Sequence, residues 1–186
     1  MDNETTEKFF RLLSKDILKQ NLAKAGLYAI AYELLKNSII ERTRGFFTIG
    51  GTKPDDEYKR QVLSKDANRL IASCLWLQEN GAITEDEVTE FLQVREHRNY
   101  FVHELPNALL NPKAQGDEVK LLRLFHLLSK IDRWWMTEVE IPGNPDFDGQ
   151  EINPSEVRSG SMEFVSYLIK VVYDLDDVAP GPTRPN

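Results

Sequence analysis

Residues 84–105 read TEDEVTEFLQVREHRNYFVHEL, and this stretch decides the fold. Thr84 followed by Glu87 three residues later has the form of a capping box. There the hydroxyl accepts from the first turn while the carboxylate reaches back to the cap's own N–H. Pro106, which has no N–H to donate, stops the run. At about 100° per residue, Phe91, Val94, Phe101 and Leu105 share one arc, which predicts an amphipathic helix over 84–105.

Outward from this helix the same spacing recurs. Upstream, 56–79 is expected to be helical, with Leu63, Ala67, Leu70, Cys74 and Leu77 inward and Asn80-Gly81 as its stop. A first helix over 5–19 carries Phe9, Leu12, Leu13 and Ile17 on one face. A second, over 21–44, repeats Leu22, Ala25, Ala29, Tyr32 and Ile39, its small alanines suited to a close neighbour. Gly45, Gly50-Gly51 and Pro54 break the chain after it.

Downstream, 106–116 reads as a loop and 117–136 as a leucine-rich helix ending in Trp134-Trp135. The stretch 141–160 is rich in proline and turn residues and is read as irregular; 161–175 is a last helix. A Pro/Gly-rich tail from Ala179 is expected to be loose. No period-two alternation marks a strand. The expectation is an all-α bundle of five to six helices with an irregular segment before the last. Residues 1–140 form the bundle, and 141–186 belong to the same domain.

Composition narrows the function. The 186 residues suit one domain, and 41% hydrophobic with 28% charged residues are ordinary for a packed globule. A net charge of −7 argues against broad non-specific binding to nucleic acid, yet leaves room for a local basic site. Cys74 is the single cysteine, so no internal disulfide forms, and it reads as a small buried apolar residue. No Cys/His spacing suggests a metal, and no cofactor is expected. Met1-Asp2-Asn3-Glu4 is acidic and unlike a signal peptide, and no run is long enough to span a membrane, so the cytoplasm is expected.

The chemistry concentrates in the capped helix. Arg98 falls inside the apolar arc, with Arg95, Asn99 and Val102 beside it and His103 at its edge. A charge on an inward face is costly unless paired. Three arrangements meet that requirement: pairing with a carboxylate such as Glu33, extension of the side-chain stems to solvent, or a cleft that takes an anion.

The run Arg98-Asn99-Tyr100-Phe101-Val102-His103 resembles the signature of the HEPN superfamily, an arginine followed by a polar residue and, a few positions on, a histidine. The motif's place near the end of a late helix in a small bundle is similar too, as is YELLKNSII at 32–40. The resemblance covers 5–135 and not the stretch after Gly143. It implies a HEPN-like bundle with metal-independent endoribonuclease activity of the toxin or phage-defence kind. It also implies a homodimer, whose interface brings two motifs together, and an antitoxin or defence-system partner.

On that resemblance RNA is the substrate, and its 2′-hydroxyl attacks the adjacent phosphorus. His103 would move the proton, because imidazole titrates near neutrality, and Arg98 would stabilise charge on the phosphoryl oxygens. Asn99 would orient His103 or hold the phosphate. Arg95 and His97 would add phosphate contacts, and Glu33 would anchor an arginine. Arg98 and His103 lie about 140° apart on an ideal helix, so a two-fold dimer, or a distorted last turn, is needed to bring them to one phosphate.

The other features are plainer. His126, among Phe125, Leu127 and Leu128, reads as packed or solvent-tipped, and Trp134 and Trp135 as core or interface anchors. Gly50-Gly51 lacks the Lys-Ser or Lys-Thr of a phosphate loop. Asp55-Asp56-Glu57 suits a helix start. The rival functions are a non-catalytic HEPN-like module that binds RNA, nucleotide or a protein partner, and a purely structural helical module in which Arg98 and Asn99 form a polar network.

Overall fold

The computed structural model describes residues 14–48, 55–103 and 118–175, except for the side chains at 55, 101 and 102. The described chain is all-α. Its helices are α1 (Lys15–Phe46), α2 (Asp55–Tyr58, continued as a π-helical turn Lys59–Leu63), α3 (Arg69–Glu79), α4 (Glu85–His103), α5 (Glu118–Trp135, continued as Met136–Glu140) and α6 (Gly160–Tyr173). None of the described helices is long and apolar enough to cross a membrane.

The long α1, about 48 Å at 1.5 Å per residue, is the axis against which α3, α4, α5 and α6 pack. It is one helix where two were expected on either side of residue 20. No glycine or proline interrupts Lys19-Gln20-Asn21, so nothing offsets the gain from continuing the backbone ladder. Its buried stripe is Leu27, Tyr28, Ala31, Tyr32, Leu35 and Ile39. Of the expected inner residues, Tyr32 and Ile39 are in the core, whereas Leu22 and Ala29 are exposed. The stripe with two tyrosines and two leucines buries more apolar area than the alanine line, and burial decides which face turns inward.

The expected helix 56–79 is broken. After the π-helical turn the helix ends at Leu63, with Ser64 as its cap, and a new helix starts at Arg69. Asn68 caps the restart, its side chain accepting from the N–H groups of Leu70 (3.0 Å) and Ile71 (3.4 Å). Asp66 in turn accepts from the Asn68 N–H at 2.6 Å. These local bonds compete with the helix ladder, so Ala67 ends up exposed and Leu63 half-buried, while Leu70, Cys74 and Leu77 are in the core. Gly81, at φ +77°, makes the turn after α3 that few other residues would tolerate.

Trp134 and Trp135 anchor the core as expected. They join Phe46, Phe47 and Trp76 in an aromatic cluster, with Trp76 stacked on Trp135 at 6.0 Å. The Trp135 indole N–H donates to the Ser38 carbonyl at 3.0 Å. The irregular segment contains only two short 3-10 turns, each begun by an asparagine before a proline, and α6 then packs on α1 and α5. The expected loop at 106–116, Gly50-Gly51, the helix face before Ser14 and the tail from Ala179 lie outside the described residues.

Candidate functional site

The capping box that opens α4 is formed. The Thr84 N–H donates to Glu87 at 2.7 Å, and Glu87 N–H donates back to the Thr84 hydroxyl at 3.3 Å. Lys130 of α5 donates to both Glu87 oxygens at 2.7 Å, so the start of α4 is clamped to its neighbour. Burial raises the Glu87 carboxyl, but the bonds from Lys130 and Thr84 outweigh it and hold the group below the usual carboxylate range. One turn on, Phe91 and Val94 are fully buried, and the Tyr28 hydroxyl donates to the Val94 carbonyl at 3.1 Å.

With its first half fixed, α4 presents its charged half at the edge of the core. The Arg98 Nη2 donates to Glu33 Oε1 at 3.0 Å, and the guanidinium carbon lies 5.4 Å from the Tyr32 ring centroid. The other Glu33 oxygen accepts from Lys36 at 2.5 Å. The Lys36 hydrogen bond, against some burial, and the charges of Lys36 and Arg98 hold the Glu33 carboxyl below its ordinary value. Burial pushes the Tyr32 phenol up, with Arg95 and Arg98 pulling the other way. Arg95 also pulls on the Cys74 thiol, which burial nonetheless pushes up to about 12.

The ion pair is not a buried one. Arg98 and Glu33 keep 32% and 40% of their side-chain surfaces, so water screens the contact and solvent-borne ligands can reach it. Glu33 faces two cations, Lys36 and Arg98, and Arg95 acts with Arg98 on the neighbouring Tyr32, which leaves a local positive excess in an acidic protein. Asn99 and His103 are exposed beside it. Because α4 is regular through His103, Arg98, Arg95, Asn99 and His103 fan across about 140° in that order. No distorted turn is present as far as His103, and the last residues before Pro106 lie outside the described residues.

His97 is separate from this fan. Its ring meets Tyr28 edge-on at 5.1 Å, and its Nδ1 is 3.3 Å from the Lys120 ammonium, in an open hollow with Gln93, Glu96 and Tyr100. Phe101 and Val102 side chains and Leu105 lie outside what is described. His126 is solvent-tipped, 67% exposed and 3.7 Å from Glu87.

Sequence reasoning missed Asp132. It is 1% exposed and accepts from the hydroxyls of Ser38 on α1 and Ser159 before α6, with Arg42 at 3.7 Å. Its position one turn after Leu128 and two after Leu124 put an acid on the buried stripe of α5, which was the available signal. Sequence reasoning also missed a second cluster, where Ser129, Arg133 and Arg158 line one cleft. Compared with family models, curated proteins and solved structures, the chain matches none.

Proposed function

We propose that this protein is a metal-independent endoribonuclease of the HEPN type, a toxin or phage-defence effector, acting as a homodimer. The observation that carries the reading is the surface-accessible fan of Arg98, Arg95, Asn99 and His103, with Arg98 held in place by Glu33 and Tyr32. A guanidinium has five N–H donors, and the bond to Glu33 occupies one. The remaining donors suit the phosphoryl oxygens, where charge builds as the 2′-hydroxyl attacks. An exposed imidazole at His103 suits transfer of the proton to or from the sugar oxygens. The wide angle between Arg98 and His103 makes the second copy part of the proposal: Arg98 of one chain works with His103 of the other.

The test is RNA cleavage in excess EDTA by wild type, His103→Ala and Arg98→Ala, with the new ends identified. Cleavage by wild type that leaves 2′,3′-cyclic phosphate or 3′-phosphate ends is expected, with a loss of about 100-fold or more in His103→Ala. Intact RNA from a folded dimer across varied substrates rejects nuclease activity. Equal cleavage by wild type and His103→Ala rejects the assignment of His103. The second reading, a non-catalytic HEPN-like module that binds RNA, nucleotide or a partner protein, has on its side the Arg98–Glu33 ion pair, which satisfies the arginine within one chain.

A further inference from the structure

A cleft of about 640 Å³ lies between α5 and α6, and it shares no residue with the fan on α4. That volume is in the range of pockets that hold small molecules. Its lining carries three cations, Lys130, Arg133 and Arg158, and one carboxylate, Glu163, with Ser129 among them and apolar surface that includes Phe125 and Met162.

The three cations differ in how they are satisfied. Lys130 is committed to Glu87 through both carboxylate oxygens. Arg158 donates to the carbonyls of Ser155 (2.9 Å) and Val157 (3.2 Å), and its Nε is 3.9 Å from Glu163. Arg133 has no such partner. Its side chain makes no hydrogen bond or ion pair among the described residues, although its Nε is shielded from solvent. One turn earlier on α5, the Ser129 hydroxyl is likewise shielded and unpartnered among the described residues. Beyond the shielded Nε, the Arg133 guanidinium has four further N–H donors, and with no carboxylate matched to them among the described residues they suit an oxyanion.

We infer that this cleft is a binding site for a small molecule with an oxyanion head, phosphate or carboxylate, on an apolar body. The head would accept from the terminal N–H groups of Arg133, with Ser129 beneath it and Arg158 at the rim, and the body would cover Phe125 and Met162. Positive charge, hydroxyl donors and apolar surface meet at one place, which a site for a bare ion would not need. The inference is independent of ribonuclease activity, because its residues lie on α5, α6 and the segment just before α6.

The test is calorimetric titration of the full-length chain, at constant ionic strength, with phenyl phosphate, benzoate and inorganic phosphate. Saturable binding of phenyl phosphate or benzoate is expected, several-fold tighter than that of inorganic phosphate, and the stronger of the two identifies the head group. Arg133→Gln should weaken it at least about tenfold, the scale of one lost charge-assisted hydrogen bond, and Ser129→Ala by a smaller factor. Circular dichroism checks each fold; if Arg133→Gln does not fold, Ser129→Ala and Arg158→Gln decide in its place. No saturable binding to wild type in the millimolar range overturns the inference, as does wild-type affinity in the folded variants.

Discussion

Replacing Asp132 should test how the bundle is tied together. The carboxylate receives the hydroxyls of Ser38 and Ser159 at a point that is 1% exposed, where α1, α5 and the start of α6 meet. The Ser159 hydroxyl also accepts from the Met162 N–H at 3.1 Å, so the acid supports the cap of α6 as well as its docking. Asp132→Ala leaves two buried hydroxyls without their acceptor, at about 1–2 kcal/mol each, or about 3 kcal/mol together. Arg42 limits any further loss, because it is one-third exposed and keeps Glu140 at 3.4 Å. For a chain of 186 residues, 3 kcal/mol corresponds to a fall in Tm of roughly 6–12 °C. Asp132→Asn preserves the shape and can accept from one serine while donating to the other, so it should cost only about 1 kcal/mol. Calorimetry and urea denaturation of the three proteins measure both values. A double-mutant cycle with Ser159→Ala should give a coupling of at least about 1 kcal/mol. A Tm change under about 2 °C for Asp132→Ala, or additivity with Ser159→Ala, would refute the reasoning.

Glu87→Gln should lower stability at neutral pH by about 1–2 kcal/mol, or roughly 2–8 °C, because it weakens the clamp between α4 and Lys130. The folded-state pKa of Glu87 is depressed below 4.5, so its contribution is complete above that value and is lost as pH falls through the depressed one. Melting curves of the two proteins should therefore converge on acidification, and a gap that widens toward low pH would contradict the assignment. Cys74 is fully buried with its thiol pushed up to about 12, so a thiol reagent at neutral pH should label it only as fast as the protein opens. Labelling at the rate of a free thiol would place Cys74 outside the core.

Much of this architecture was legible in the chain because its signals are local. The capping box at Thr84 and Glu87, the stop at Asn80-Gly81 and the acidic start at Asp55-Asp56-Glu57 each depend on residues within one turn, and each is where a helix begins or ends. The break at 64–68 was also local, but Asp66 and Asn68 lay inside an apolar repeat that continues past them. Which face of α1 turns inward was not legible. Leu22 and Ala29 have the right spacing, and only the partners arriving from α3, α4, α5 and α6 select the Leu27–Tyr28–Tyr32–Leu35 stripe.

The pairing of Arg98 with Glu33 stands between these cases. A charge on the apolar arc announced that a partner, solvent or an anion was required, and Glu33 was a candidate because it sits next to Tyr32 on the neighbouring helix. That the pair stays one-third exposed, with Asn99 and His103 open beside it, follows from where α4 crosses α1. The Asp132 cluster and the α5–α6 cleft bring together residues far apart in the chain, Ser38 and Ser159 on Asp132, and Arg133 and Arg158 around one cleft. The sequence by itself determined the all-α class, most helix ends and the chemical character of α4, since propensity, capping and periodicity act over a few residues. The tertiary structure decided which faces are buried, which charges are matched and where clefts open, because burial and desolvation belong to the assembled helices and not to any one of them.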